Sequence, residues 1–248
     1  MKYKIAIIGT GFTPSGDTLP PTEIAEIVSE DFNATLFETE STEFPSTPAK
    51  RALVEAAYVT LGLKIAALGY DAIYINTVGD YGLSELRKQL DIPVIGAGET
   101  AVVAASHISK SFSIVTIWPQ SMHFIYADLL RTTDTKEQCR EIEHLSKDDD
   151  LQQLAHEKNF VTELRSCSID AFNAFEQAIK EHSEKSSDCI IIGCTCMSPA
   201  ISRLSDLSIP LLDPMTLGYH FCEYWLTAQV SKEPPLKSFA EAYIQQGL

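Results

Sequence analysis

The sequence predicts an α/β protein of two similar lobes, each with a mainly parallel sheet, related by a pseudo-two-fold with the active site in the cleft between them. Three observations carry this. Short runs of β-branched residues alternate with amphipathic helical stretches along the chain, the pattern of parallel strands covered by helices. A unit recurs at a spacing of 117: Asp71-Ala-Ile-Tyr-Ile-Asn-Thr77 falls on Asp188-Cys-Ile-Ile-Ile-Gly-Cys194 without a gap, and Leu90, Ile92 and Pro93 fall on Leu207, Ile209 and Pro210. No low-complexity linker divides the halves, so they are expected to pack together. The expected division puts residues 1–97 and 215–248 in the first lobe and 98–214 in the second.

In chain order, Lys4-Ile-Ala-Ile-Ile-Gly9 is a buried first strand, and Thr10 to Asp17 a ligand-facing loop. Gly9-x-Gly11 lacks the third glycine of a dinucleotide fingerprint, and no Gly-Lys-Ser/Thr follows, so the loop is not read as a nucleotide site. A short helix from Pro21 and a strand over Ala34–Glu38 come next. The polar stretch Thr39 to Pro48 reads as a flap, and Pro48 to Leu68 as a long helix into the first repeat. Ile92–Ala97 is a strand, Gly98–Lys110 a helix, Phe112–Ile117 a buried strand and Gln120–Arg131 a helix. Residues 133 to 160, with Lys147-Asp-Asp-Asp150, read as a solvated acidic loop. Ser168–Glu184 is a helix feeding the second repeat; Ile209–Asp213 is a strand, and Pro214 opens a helix running to about Gln229.

The second repeat concentrates the chemistry. A buried strand breaks at Gly193 and presents Cys194 at its carboxyl end, the side of an open α/β sheet where ligands bind. The following helix is expected to be capped by Ser198 and to start at Pro199. A thiol beside helix amides is favoured as a thiolate. Thr77 ends the matching strand, so the repeat places Thr77 and Cys194 on facing walls of one cleft. Asn76, Val78 and Gly79 on the first turn either hold a carboxylate through backbone amides or form an ordinary strand-to-helix turn.

A formal charge of −15 argues against nucleic acid and anionic membranes as partners, though not against a small anionic substrate. The six cysteines lack the spacing of a disulfide framework, and no apolar run reaches membrane-spanning length. A reduced, cytoplasmic protein is expected. Cys194-x-Cys196 has no partner motif for a metal. Cys196 either pairs reversibly with Cys194 or, the favoured reading, simply packs.

Several blocks resemble the aspartate/glutamate/hydantoin racemase superfamily, and its hydantoin (allantoin) racemase branch above others. They are Asp71-Ala-Ile-Tyr-Ile-Asn-Thr-Val-Gly-Asp-Tyr-Gly-Leu83 with Leu86-Arg87, Pro93-Val-Ile-Gly-Ala-Gly-Glu-Thr-Ala101, Phe112-Ser-Ile-Val-Thr116, and Ile190-Ile-Ile-Gly-Cys-Thr-Cys-Met197 continuing to Ile209-Pro-Leu-Leu-Asp-Pro214. They cover about residues 70 to 230. The first strand lacks the branch's Asn-Pro-Asn, and Tyr81 stands where the branch has proline.

The resemblance implies cofactor-independent proton transfer at the carbon α to a carboxyl or carbonyl group. In the family one cysteine removes the proton as thiolate and an opposed cysteine returns one to the other face. Cys194 matches the second cysteine. Thr77 stands at the first, and a hydroxyl is a far weaker acid than a thiol. Three chemistries follow: racemisation with Thr77 in place of a thiol, one-thiol chemistry as in the related arylmalonate decarboxylases, or isomerisation with Cys194 as nucleophile as in the related maleate isomerases. A non-catalytic small-anion-binding protein is a further alternative. Asp80 serves either as a proton relay for Thr77 or as a turn and cap. The expected substrate contacts are Gly9, Thr10, Asn76, Val78, Gly79, Thr116, Gly193 and Thr195, with no metal and no cofactor. For Thr116 plain β-propensity is an equal reading, and His123 is either an acid or base or, the favoured reading, an exposed first-turn residue. The partner expected is a small anionic or amide substrate, with a homo-oligomer left open.

Overall fold

The computed structural model describes residues 2–9, 18–39, 43–151, 170–185, 188–204 and 207–228, with Leu236, Phe239, Ala240 and Tyr243 beyond them. Thr10 and the rest of its loop, residues 40–42 of the expected flap, and the acidic stretch beyond Leu151 lie outside the described residues.

Two four-stranded, all-parallel sheets form the frame. In the first, β1 (Tyr3–Gly9), β2 (Phe32–Glu38), β3 (Ala72–Ile75) and β4 (Val94–Gly96) lie in the order β2-β1-β3-β4. In the second, β5 (Phe112–Thr116), β6 (Cys139–His144), β7 (Ile190–Ile192) and β8 (Leu211–Leu212) lie in the order β6-β5-β7-β8. The two orders are the same once sequence position is removed. β3 and β7, the repeated strands, hold the same place in each sheet. The expectation of two parallel-sheet lobes holds.

Strand runs read as apolar because both faces are covered. Ile5 and Ile7 face one core and Ala6 and Ile8 another, all with no exposed surface. In the second sheet Ile191 and Ile114 face the first of these cores, while Ile190, Ile192 and Val115 face a third. One core is therefore shared by both sheets. Into it pack α4 (Ala97–Ile108), through Ala97, Ala101 and Ala105, and α7 (Pro214–Ala228), through Met215, Leu217 and Phe221. Small alanines on α4 let the sheets approach closely, and burying this apolar surface joins the lobes into one unit.

The remaining helices divide between the outer faces and the shared core, which Ile24 and Tyr126, Leu129 and Leu130 enter. α2 (Pro48–Ala67) starts with Pro48 after Thr47, whose hydroxyl accepts from the Lys50 amide at 3.2 Å, an N-cap with proline in the first turn. α1 (Thr22–Ala25) is shorter than the helix expected from Pro21. α3 (Leu83–Gln89) follows the first repeat, α5 (His123–Thr132) follows β5, and α6 (Asp170–Lys185) precedes β7. Arg51 of α2 reaches Asp128 of α5 at 3.0 Å, tying the lobes together across the outer surface. Phe44, in the segment expected to be a flap, lies on Trp118 after β5, with ring centroids 5.2 Å apart.

Two sequence expectations are corrected. Residues 133–160 are not loop throughout, because β6 crosses them as an edge strand paired with β5. Its Cys-Arg-Glu-Ile-Glu-His run is half-exposed, so it carries neither the apolar run nor the clean alternation that marks a strand. The segment after Cys194 is a 3-10 helix, Thr195–Arg203, with Cys194 itself as N-cap and Pro199 inside it. Ser198 does not cap it; its hydroxyl donates to the buried Asp213 carboxylate. Among the described residues no helix is long and apolar enough to cross a membrane.

Candidate active site

The carboxyl ends of β3 and β7 meet. Asn76 follows β3 and is fully buried; its amide donates to Ile8 O at 2.9 Å, which sets it beside Gly9 at the end of β1. From the other lobe, the Thr195 hydroxyl donates to Asn76 O at 3.2 Å. This hydrogen bond joins the residue before Thr77 to the residue after Cys194. The two repeat ends therefore face one another, with Gly9, Asn76 and Thr77 on one side and Gly193, Cys194 and Thr195 on the other.

On the first side, Thr77 Oγ1 and Asn76 Nδ2 are buried with no hydrogen-bond partner among the described residues. Such atoms cost about 1–3 kcal/mol each when nothing answers them. Thr77 O accepts from the Asp80 amide at 3.2 Å, closing a turn through Val78 and Gly79. Asp80 adopts a positive φ of 46° and turns its carboxylate onto the first turn of α4, accepting from Gly98 N at 3.0 Å and Glu99 N at 2.6 Å. A Cβ on Gly98 would run into the Val78 carbonyl, so the two turns interlock only with glycine there. Burial and the Glu99 carboxylate push the Asp80 carboxyl up to about 8, against the pull of the two amides and of Arg87. Of its two expected roles, Asp80 takes turn and cap; it makes no bond to the Thr77 hydroxyl, so the relay is not formed.

On the second side the donors form one directed chain. A carbonyl only accepts, so Tyr126 Oη–H points to Gly193 O at 2.7 Å. The Thr116 hydroxyl then donates to Tyr126 Oη at 2.6 Å and itself accepts from Trp118 N at 3.2 Å. Thr116 is fully buried and its hydroxyl is committed to this chain. Gly193 donates to Val115 O at 2.8 Å, and a Cβ on it would lie 2.5 Å from Thr116 Cβ. Glycine is what allows the strand end to lie flat against Thr116. Tyr126 escapes sequence reasoning: on α5 it reads as one more aromatic on an apolar face, and its partners lie 10 and 67 residues away.

Cys194 is half-buried, and the Cys196 amide points at its Sγ from 3.3 Å. Cys194 and Cys196 are joined in a disulfide. This overturns the favoured reading that Cys196 merely packs, and with it the expectation that all cysteines are reduced. The tight 3-10 turn brings the two Cα atoms to 5.3 Å, inside the range of about 4.4–6.8 Å that a disulfide spans. Cys139, Cys189 and Cys222 are free.

At the last residue of β6, His144 Nδ1 lies 2.9 Å from Trp118 O, so that nitrogen carries the proton. Its Nε2 therefore accepts from His123 Nδ1 at 3.1 Å. Burial holds the His144 imidazole below the usual histidine range. A separate cleft of about 1190 Å³ between α2, α3 and α5 reaches Gly79 and Asp80 but is not lined by Thr77 or Cys194. Its Arg51, Arg87 and Arg131 are paired with Glu55, Glu99 and Asp128. Among the described residues, no group of three or more His, Cys, Asp or Glu is placed to hold a metal ion.

Comparison with known proteins agrees with this frame. Residues 25–222 match the family described as Asp/Glu/Hydantoin racemase. A hydantoin racemase of Rhizobium meliloti is 30% identical over 167 residues, 65% of this chain and 63% of the relative, so the match spans just under two thirds of that protein. Among solved structures, allantoin racemase from Pseudomonas fluorescens superposes with a TM-score of 0.71 at 17% identity, covering 96% of each chain. Allantoin racemase from Klebsiella pneumoniae gives 0.70 at 18% identity, covering 95% of this chain and 93% of its own.

Proposed function

This chain belongs to the Asp/Glu/hydantoin racemase family, and from that premise we propose that it is a cofactor-independent racemase or isomerase. Its chemistry is proton transfer at the carbon α to a carboxyl or carbonyl group of a small amino-acid-like, hydantoin-like or dicarboxylate substrate. The observation that carries the reading is the Thr195 Oγ1 to Asn76 O bond, because it sets the ends of the two repeated strands against each other. Inverting a stereocentre through a planar carbanion needs groups on opposite faces, and two facing strand ends supply two walls.

Cys194 is the acid/base group, acting in the reduced chain with its bond to Cys196 open. The Cys196 amide directed at its sulfur favours the thiolate. Asn76 Nδ2 and Thr77 Oγ1, without partners among the described residues, are the donors for a substrate carboxylate or carbonyl oxygen, where enolate charge develops. Gly9, Thr10, Val78, Gly79, Thr116, Gly193 and Thr195 complete the site, with Thr116 acting through the backbone it holds. We assign residues 1–97 and 215–248 to one lobe and 98–214 to the other; the packing of α7 on β3 and β4 supports the return of the chain to the first.

A second reading is favoured by Thr77 itself. A thiol titrates near about 8.5 and a threonine hydroxyl far higher, so chemistry needing a thiol on one face only, as in decarboxylation, fits this pair. The test is solvent-deuterium exchange across amino acids, hydantoins and 2-substituted dicarboxylates, with the reduced protein. Incorporation at the α carbon that disappears in Cys194→Ser is expected. Undiminished incorporation in that variant overturns the assignment of Cys194.

A further inference from the structure

We infer that Cys194 and Cys196 are a reversible redox pair, a modification site in which Cys194 meets the oxidant and Cys196 resolves it to a disulfide. Four features on the two residues point this way. They are bonded to each other in the structure. They differ in access: Cys194 is half-buried at the end of β7, while Cys196 is 5% exposed and packed with Ile192, Met197 and Leu204. The backbone turn between them brings their Cα atoms to 5.3 Å, so closing the bond needs no movement of a lobe. And the Cys196 amide is directed at Cys194 Sγ, at the N-terminus of a nine-residue 3-10 helix, a setting that favours a thiolate at 194.

The other described thiols are poor competitors. Burial pushes Cys139 up to about 11 and Cys189 up to about 12, and holds Cys222 far above the ordinary thiol range. They stay protonated at neutral pH, and the thiolate is the reactive form.

The oxidant class is a peroxide, and the steps balance. The Cys194 thiolate attacks one peroxide oxygen; the S–O bond forms, the O–O bond breaks, and the departing hydroxide takes a proton to give water. The Cys196 sulfur then attacks the Cys194 sulfenic acid; the S–S bond forms, the S–O bond breaks, and a second water leaves with the Cys196 proton. Two thiols are oxidised by two electrons in total and the peroxide is reduced to two waters. A dithiol reverses the modification by exchange through a mixed disulfide, ending as its own disulfide. The consequence for turnover rests on the proposed role of Cys194: while the bond is closed, Cys194 carries no thiolate. Cys196 thereby protects Cys194 from further, irreversible oxidation.

The experiment uses the full-length protein, reduced with a dithiol, freed of it, and exposed to hydrogen peroxide. Free thiols are then alkylated and the peptides mapped by mass spectrometry. The expected result is a Cys194–Cys196 bridge lacking two hydrogens and taking up no alkylating agent, fully reopened by the dithiol. In Cys196→Ser the same exposure should leave Cys194 as sulfenic acid trappable by a dione and then as sulfinic acid that the dithiol does not restore. Both thiols still alkylatable after peroxide, sulfinic acid on Cys194 of the wild type, or a bridge to another cysteine, Cys167 included, would each overturn the inference. The wild-type map needs no variant to fold. It is also independent of turnover: a bridge that forms without loss of exchange activity upholds the redox pair and removes Cys194 from catalysis, whereas Cys194-dependent exchange without a bridge does the reverse.

Discussion

Removing one oxygen atom tests how the second lobe holds the strand end that carries Cys194. In Tyr126→Phe the ring stays and the hydroxyl is lost, deleting the bond to Gly193 O at 2.7 Å and the bond from Thr116 at 2.6 Å. Tyr126 and Gly193 are buried, so the site offers no bulk water to replace the hydroxyl. One carbonyl loses its donor and one hydroxyl its acceptor. An unsatisfied buried group costs about 1–3 kcal/mol, and the Thr116 hydroxyl recovers part of its share by rotating, so a loss of about 2 kcal/mol is expected. Thr116→Val keeps the shape but strips the acceptor from Trp118 N and the donor to Tyr126, while the Tyr126–Gly193 bond survives; about 1 kcal/mol is expected. Because the two side chains share a bond, the double variant should lose less than the sum, with a coupling of about 0.5 kcal/mol or more. Denaturant titrations of the four proteins give these differences. Gly193 precedes Cys194, so if Cys194 has the proposed role and about 1.4 kcal/mol of the Tyr126→Phe loss is felt at its thiol, exchange slows about tenfold. Strictly additive variants, or a Tyr126→Phe protein as stable and active as the wild type, would refute the directed chain.

Three further outcomes are expected. Cys194→Ser should retain the fold and lose α-carbon exchange by about 10²-fold or more, as befits removal of a positioned acid/base group; full activity would place the chemistry elsewhere. Deuterium delivered by the wild type should be strongly biased to the face served by Cys194, and Thr77→Cys should erase that bias; equal exchange on both faces in the wild type would make Thr77 a competent base. Burial lowers the His144 imidazole, so the folded chain prefers it neutral: its contribution to stability is present above the unfolded value of about 6.5 and is lost as pH falls through the lower folded value. His144→Gln should accordingly flatten the fall in unfolding free energy on acidification from neutrality, and an unchanged slope would exclude that contribution.

The frame of this protein is legible in one dimension because it is built from local repetition. Buried parallel strands must be apolar on both faces, so Lys4–Gly9, Asp71–Thr77 and Asp188–Cys194 announce themselves as β-branched runs. The spacing of 117 pairs β3 with β7, and the matching sheet orders follow. Position at a strand's carboxyl end was likewise readable for Thr77 and Cys194, since it depends only on where the run stops. What sequence could not decide depends on groups far apart in the chain. β6 was hidden because an edge strand is half-solvated and tolerates Arg140, Glu141 and Glu143 where an interior strand would not. Asp80 was ambiguous until α4 placed two amides 18 and 19 residues on against its carboxylate. The Tyr126–Gly193 and Thr195–Asn76 bonds join residues 67 and 119 positions apart, and no local period encodes such partners. The Cys194–Cys196 bond is the instructive intermediate case: the residues are near neighbours in sequence, yet the bond depends on the turn being 3-10 and starting at Thr195, which packing of the segment against β7 and α7 settles.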